Sequence, residues 1–158
     1  MKLALINVCK KQAELDSKIQ NSRERTLADI KLSMMAEIIE WNEECFDTHK
    51  TWKKKTHDTA KEMEEFVDIL FFIAQQANFE ENSSEKNKYL ISYVPSSIIY
   101  TALALLGAAH RADAASIYRA WIKVAENRYY SMRDLTKIYE MKYKKNLERI
   151  NGEWQNGD

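Results

Sequence analysis

The stretch EEFVDILFF, residues 64–72, decides the fold class and holds the most informative acid of the chain. Its middle part is apolar on every side of a predicted helix, as in a buried segment, and yet Asp68 lies within it. An unpaired buried carboxylate costs several kcal/mol, so another group must compensate its charge. Glu65 precedes Asp68 by three residues, which places both carboxylates on one face of the helix.

A second acidic pair lies upstream, where Glu37 and Glu40 repeat the same spacing inside another predicted helix. On two antiparallel helices that face each other, the two pairs would form a group of four carboxylates, which repel one another unless a hard cation neutralises them. The sequence therefore predicts a site for Mg²⁺, or for Mn²⁺, held by Glu37, Glu40, Glu65 and Asp68. For the first pair taken alone, an ordinary solvated helix face is the simpler explanation.

The composition is that of a single helical domain. With 158 residues, 45% of them hydrophobic, and only 3 Gly and 1 Pro, the chain is predicted to be one all-α domain over residues 1–158. The formal net charge is zero, which gives no electrostatic reason to expect nucleic acid as a partner. Cys9 and Cys45 are predicted to be buried free thiols, and the longest apolar stretch is about half of a membrane span. We therefore expect a soluble, cytoplasmic protein.

Helix start and stop signals divide the chain into about six helices, arranged as a bundle with a four-helix metal-binding core. Thr26 with Asp29 and Thr59 with Glu62 are predicted capping boxes, and Asp113 is a predicted N-cap. Pro95 suits the first turn of the fourth helix, and residues 49–58 form a basic loop. The predicted helices cover residues 3–19, 26–47, 59–79, 95–110, a fifth from 113, and 131–150.

The fourth predicted helix has an unusual surface. Small side chains alternate with large apolar ones over residues 98–109, so this segment is apolar nearly all round and must be covered on more than one side. A second copy of the chain would cover it, and so would the interior of the monomer. Both alternatives remain open at the level of the sequence.

Three segments together carry a resemblance to a known family: AEIIEWNEECF (36–46), KTWKKK (50–55) and EEFVDILFF (64–72). They resemble the all-α nucleoside triphosphate pyrophosphatase superfamily, which has ExxE on one helix and ExxD on the next, and specifically its dimeric dUTPase branch. Two further segments are similar to that branch. One is a QxxLDxxI pattern that contains Gln12 and Asp16, and the other is a KxxxNxxR pattern formed by Lys142, Asn146 and Arg149.

The resemblance implies a dUTP diphosphatase that hydrolyses dUTP to dUMP and pyrophosphate with bound Mg²⁺. Glu40 and Glu37 are the expected catalytic carboxylates, with Glu40 orienting or deprotonating the attacking water. The resemblance also implies a homodimer. Two alternatives stay open, namely a related pyrophosphatase that acts on dCTP or on mixed triphosphates, and a non-catalytic helical interaction protein on the same fold.

Substrate contacts follow from the same resemblance. Gln12 has an amide donor and acceptor that match the uracil edge, and Asp16 could order it or bind the sugar hydroxyl. Trp52 is a candidate wall for the base, although a Trp beside a basic loop is more often a core anchor. The candidates for binding the phosphates are the cationic residues Lys53, Lys142 and Arg149, together with the amide of Asn146. Without the resemblance, a solvated basic helix would explain Lys142 and Arg149.

Overall fold

The computed structural model describes residues 3–83, 90–91 and 102–152. Within these ranges it contains six α-helices and no strand, apart from an isolated bridge between Ile91 and Ala112. The predicted all-α fold of about six helices is thereby confirmed. No described helix is both long and apolar enough to cross a membrane. The helices are α1 (Leu5–Lys18), α2 (Leu27–Glu44), α3 (Thr59–Asn82), α4 (Ala102–Arg111), α5 (Ala114–Asn127) and α6 (Met132–Gly152).

Helix α2 begins as the sequence predicts and ends earlier. The Thr26 hydroxyl accepts a hydrogen bond from the Asp29 amide at 3.2 Å, and the Asp29 carboxylate accepts one from the Thr26 amide at 2.8 Å. This is the predicted capping box. The predicted end at residue 47 is wrong by three residues, because Cys45 adopts an extended backbone with ψ of 150° and turns the chain into the loop that follows.

The predicted capping box at the start of α3 is wrong. Asp58, one residue before Thr59, is the N-cap, and its carboxylate accepts hydrogen bonds from the Ala60 and Lys61 amides. Glu62 is only 4% exposed and turns inward instead of reaching back to the N-cap. At its other end α3 continues to Asn82, three residues beyond the predicted end.

The buried carboxylate of Glu62 connects three parts of the fold. It accepts a hydrogen bond from the Tyr130 hydroxyl and lies 2.5 Å from the His57 ring nitrogen Nε2. The Tyr130 oxygen also accepts a hydrogen bond from Trp41 at 3.1 Å. Tyr130 reaches this position because Tyr129 has a left-handed φ of 57°, which ends α5 in a tight turn. The network holds α2, α3 and the turn before α6 together.

The remaining predicted helix boundaries agree closely with the structure where they can be compared. Asp113 caps α5 by accepting a hydrogen bond from the Ser116 amide at 2.8 Å. Ser131 precedes α6, which continues to Gly152 and so ends two residues later than predicted. The predicted start of the fourth helix at Pro95 lies outside the described residues, and α4 is described from Ala102 onward.

Helix α3 is the centre of the bundle. It lies antiparallel to α2, since Lys31 of α2 contacts Gln76 near one end of the pair and Glu44 contacts Lys61 near the other. Two aromatic stacks join α3 to the second half of the chain. Phe66 stacks on Trp121 of α5 at 4.6 Å, and Phe71 stacks on Tyr139 of α6 at 4.9 Å. Asp68, which lies between these two aromatic residues on α3, faces α6 and contacts Lys142 there.

Candidate metal centre and adjoining cleft

Three of the four predicted metal ligands lie together. One carboxylate oxygen from each of Glu37, Glu65 and Asp68 lies within 4.8 Å of the others. The antiparallel packing brings α2 against α3 at this level, and the three-residue spacing on α3 points Glu65 and Asp68 toward the same partner. A set of carboxylate oxygens without nitrogen or sulfur ligands suits Mg²⁺ or Mn²⁺. The donor chemistry of this group therefore fits the predicted ion.

The electrostatics of the group also favour a cation. The pKa of Glu37 is raised to about 7, first by burial and then by the charges of Asp68, Glu40 and Glu65. Burial likewise raises the pKa of Glu65 and of Asp68, with neighbouring carboxylates adding to the effect. Three half-buried carboxylates that resist ionisation in one another's presence would be stabilised as anions by a bound divalent ion.

The group that compensates Asp68 is Lys142. Its ammonium nitrogen lies 2.6 Å from an Asp68 carboxylate oxygen, and only 18% of the Lys142 side chain is exposed. Lys142 and Arg149 both lower the pKa of Asp68, but burial outweighs them. Lys142, predicted as a phosphate contact, is thus an internal counter-ion of the carboxylate group in this structure.

Glu40 lies at the edge of the group and not within it. The residue is exposed to solvent, one helical turn beyond Glu37 on α2. Its charge nevertheless raises the pKa of both Glu37 and Glu65, so it lies close enough to act on them. The structure therefore brings three of the predicted ligands together and leaves Glu40 on their solvent side.

A cleft of about 1070 Å³ begins at the three grouped carboxylates and extends between α1, α2, α3 and α6. It is lined by six of the predicted site residues, which are Gln12, Asp16, Glu37, Asp68, Asn146 and Arg149. Trp52 and Lys53 do not line it. Both are exposed in the loop between α2 and α3, and Trp52, at 73% exposure, is not a core anchor. The cleft joins the amino-terminal and carboxy-terminal motifs of the sequence in one site.

A chain of hydrogen bonds forms the wall of the cleft at a distance from the three grouped carboxylates. Asp16 accepts hydrogen bonds from the side-chain amides of Gln12 and Gln75, each at 2.8 Å. Arg25 Nε in turn donates to the Gln75 side-chain oxygen at 2.8 Å. Because both ends of the Gln75 amide are engaged, its orientation is fixed.

Gln12 has one polar atom without a partner. The side chain is 6% exposed, its amide nitrogen donates to Asp16, and its buried oxygen Oε1 has no hydrogen-bond partner in the described part of the chain. An unsatisfied buried acceptor costs about 1–3 kcal/mol. Gln12 lines the cleft, so a donor group on a bound molecule is a candidate partner for this acceptor.

Sequence reasoning missed Arg25 and Gln75. Gln75 could have been found, because it follows Asp68 by seven residues and so lies on the same face of α3, two turns further on. Arg25 had no such signal. It precedes α2 in a polar connection, and its contact with Gln75 joins residues separated by 50 positions.

The raised pKa of Glu37 predicts a pH-dependent stability of the metal-free protein. A carboxyl whose pKa is higher in the folded than in the unfolded chain stabilises the fold while it is protonated, and this contribution is lost as pH rises from about 4.5 to about 7. The substitution Glu37→Gln removes this pH-dependent loss of stability, because glutamine does not ionise. Because the group is half-buried and partly screened by solvent, we expect Glu37→Gln to raise the free energy of unfolding at pH 8 by about 1–2 kcal/mol.

The measurement is denaturant unfolding in chelator at pH 5 and pH 8. The wild type should lose stability between the two values, and Glu37→Gln should lose less. Glu140→Gln is a matched control, since Glu140 is exposed on α6 and is not one of the three grouped carboxylates. An equal pH dependence in wild type and Glu37→Gln would show that the pKa of Glu37 is not raised in the folded chain.

The comparison with protein families matches almost the whole chain. A family model described as dUTPase matches residues 4–154. This range contains the grouped carboxylates, the cleft and the polar wall described above. A comparison with curated proteins finds no match.

Proposed function

The chain belongs to the all-α dUTPase family, and on that premise we propose that it is a dUTP diphosphatase that releases dUMP and pyrophosphate. The observation that carries the proposal is a cleft with two chemically different ends. Grouped carboxylates lie at one end, and a buried, unpartnered acceptor lies in the wall toward the other. The first end suits a metal-bound polyphosphate and the second suits the N–H group of a base.

At the phosphate end, Glu37, Glu65 and Asp68 would hold Mg²⁺, or Mn²⁺, with Glu40 at the rim. The ion, when bound, supplies Lewis-acid stabilisation of the phosphate charge and lowers the pKa of a water nucleophile. Glu40, which is exposed beside the group, is our candidate to orient that water or accept its proton, with Glu37 as its neighbour on α2. Solvent exposure leaves Glu40 free to reach a ligand from the open side.

The carboxy-terminal motif would neutralise the phosphates. Lys142, Asn146 and Arg149 follow one face of α6, and the last two line the cleft. Arg149 can bind two phosphate oxygens through its planar fork. Lys142 pairs with Asp68 in this structure, and it would contact a phosphate only by leaving that carboxylate. Trp52 and Lys53 remain predicted contacts from the exposed loop.

At the base end, the hydrogen bonds of Gln12 narrow its role. The amide nitrogen already donates one of its two hydrogens to Asp16, and the atom without a partner is the oxygen, so we assign Gln12 to the base as an acceptor. The uracil N3–H is a donor and fits this acceptor, whereas cytosine has a bare acceptor nitrogen at the same position. A single fixed acceptor therefore supports a preference for uracil over cytosine, with Asp16 as the residue that holds the amide in place.

We also propose a homodimer. The described part of the fourth predicted helix is covered on one side only: Leu105 and Ala109 are buried, while Leu103 is 79% exposed. Leu32 of α2, the helix packed beside it, is 65% exposed. A second copy of the chain that covered the exposed side of α4 would bury Leu103. We expect sedimentation at micromolar concentration to give twice 18.6 kDa, and a species of 18.6 kDa would contradict the dimer.

The test of the proposed function is pyrophosphate release from a panel of nucleotides with Mg²⁺, with Mn²⁺ and with chelator. A dUTP diphosphatase should release pyrophosphate from dUTP with either ion and not with chelator. Comparable rates with dCTP or several triphosphates would instead support a pyrophosphatase of broader specificity. The absence of release from every nucleotide would favour the non-catalytic interaction protein.

A further inference from the structure

We propose that Arg25 is a base-binding residue, and that it donates a hydrogen bond to a carbonyl oxygen of the pyrimidine ring beside the N3–H group accepted by Gln12. The inference deepens the proposed function and rests on it. It concerns a residue outside the acidic, amino-terminal and carboxy-terminal motifs of the sequence, and its basis is the position of the guanidinium group in the cleft wall.

The guanidinium of Arg25 is held from two sides. Its Nε donates to Gln75 on α3 at 2.8 Å, and one terminal nitrogen donates to the Ser33 hydroxyl on α2 at 2.9 Å. It also lies over the ring of Phe72 at 5.8 Å, and all four residues line the cleft. The other terminal nitrogen makes no hydrogen bond to a described residue. Arg25 therefore presents a positioned, charged donor to the cleft.

The position of Arg25 is remote from the phosphate end. Its partner Gln75 follows Asp68 by seven residues on α3, which corresponds to about 10 Å along the helix axis. The nearest charged group in the hydrogen-bonded wall is the Asp16 carboxylate, which would repel a phosphate. Both observations favour a neutral acceptor as the ligand of Arg25 over a phosphate oxygen.

The wall contains both kinds of group that the edge of uracil requires, an acceptor for N3–H and a donor for a carbonyl oxygen. That edge presents a carbonyl oxygen on each side of N3–H, so a protein acceptor for N3–H must be flanked by a donor for full pairing. Gln12 supplies the acceptor, and the same network, through Asp16 and Gln75, fixes Arg25. The two residues together would satisfy two neighbouring groups of the base and also the buried Gln12 oxygen.

The experiment compares Arg25→Met with Arg23→Met. Arg23 is a matched arginine two residues away that pairs with Asp29 and does not line the cleft. For each protein we would measure kcat and KM for dUTP, and the Kd of dUMP, of deoxyribose 5-phosphate and of pyrophosphate with metal. We expect Arg25→Met to raise KM and the Kd of dUMP by about 10- to 100-fold. The Kd of deoxyribose 5-phosphate and of pyrophosphate should not change, and Arg23→Met should match the wild type.

The base-free ligand separates a base contact from other roles. If Arg25→Met weakens dUMP and deoxyribose 5-phosphate equally, or leaves dUMP binding unchanged, the inference is overturned. Arg25→Lys keeps a charged donor without the planar fork, and it should show a smaller loss confined to dUMP. This variant decides the question if Arg25→Met does not fold in a thermal unfolding scan. A wild-type protein that does not hydrolyse dUTP would instead refute the proposed function, which is a separate result.

Discussion

The substitution Asp68→Asn is expected to lower kcat for dUTP roughly a thousandfold or more. Asp68 lies at the meeting point of α3, α2 and α6, and in the proposed function it is one of the three carboxylates that would hold the metal ion. A neutral amide supplies a weaker ligand and removes one negative charge from a group of three, so the ion is bound more weakly where charge develops in the reaction.

Steady-state rates with dUTP across a range of Mg²⁺ concentrations would measure this effect, together with the affinity for Mn²⁺ in the absence of nucleotide. Asp68→Asn should lower the rate and the affinity for Mn²⁺, whereas the control Glu140→Gln, on the exposed side of α6, should remain close to the wild type. Near-wild-type turnover by the Asp68→Asn protein would reject the metal-site assignment. Because a neutral amide at this position would leave the Lys142 ammonium without its carboxylate partner, we do not expect Asp68→Asn to gain metal-free stability as Glu37→Gln does.

Residue spacing predicted the parts of the site that depend on a single helix. Glu65 and Asp68 lie together because a three-residue separation on any helix places side chains on one face, and the same holds for Asn146 and Arg149 in α6. The Thr26 capping box follows from residues three apart and was predicted for the same reason. Such features need no knowledge of how the helices pack.

Features that depend on packing between distant segments were not predictable in this way. Lys142 and Asp68 are 74 positions apart, and only the packing of α6 on α3 shows that the lysine compensates the buried acid. Glu62 has the correct spacing for a capping box with Thr59. It is buried instead, because Tyr130 and His57 offer it partners that the local sequence does not reveal. The capping-box spacing is therefore overridden by tertiary hydrogen bonds to the buried Glu62 carboxyl group.

The exposed loop between α2 and α3 shows a different limit. Its motif KTWKKK contributed to the family resemblance, and yet Trp52 and Lys53 lie outside the cleft. Lys50 and Lys55 of the same loop pair with Glu43 and Glu44 at the end of α2. A motif can identify a family without fixing where an exposed loop lies relative to the site, since few buried contacts hold such a loop.

Discrimination between dUTP and dCTP is expected to be at least about a thousandfold in kcat/KM, and most of it should depend on Gln12. The Gln12 oxygen is a buried acceptor whose amide cannot turn over, since Asp16 holds the nitrogen. Uracil places N3–H against that oxygen, whereas cytosine places a lone pair there. Two buried acceptors that face each other lose the hydrogen bond and repel, which is worth several kcal/mol in a desolvated pocket.

Values of kcat/KM for dUTP, dCTP and dTTP with wild type, Gln12→Ala and Gln20→Ala would test this expectation. Gln20 is an exposed glutamine just beyond α1 and outside the cleft, so its substitution should change nothing. Gln12→Ala should lower dUTP efficiency and reduce the ratio of dUTP to dCTP. It should leave the ratio of dUTP to dTTP unchanged, because thymine has the same hydrogen-bonding edge and is distinguished only by the space around its methyl group. Comparable dUTP and dCTP efficiencies in the wild type would reject selective recognition of uracil and leave a broader pyrophosphatase in its place.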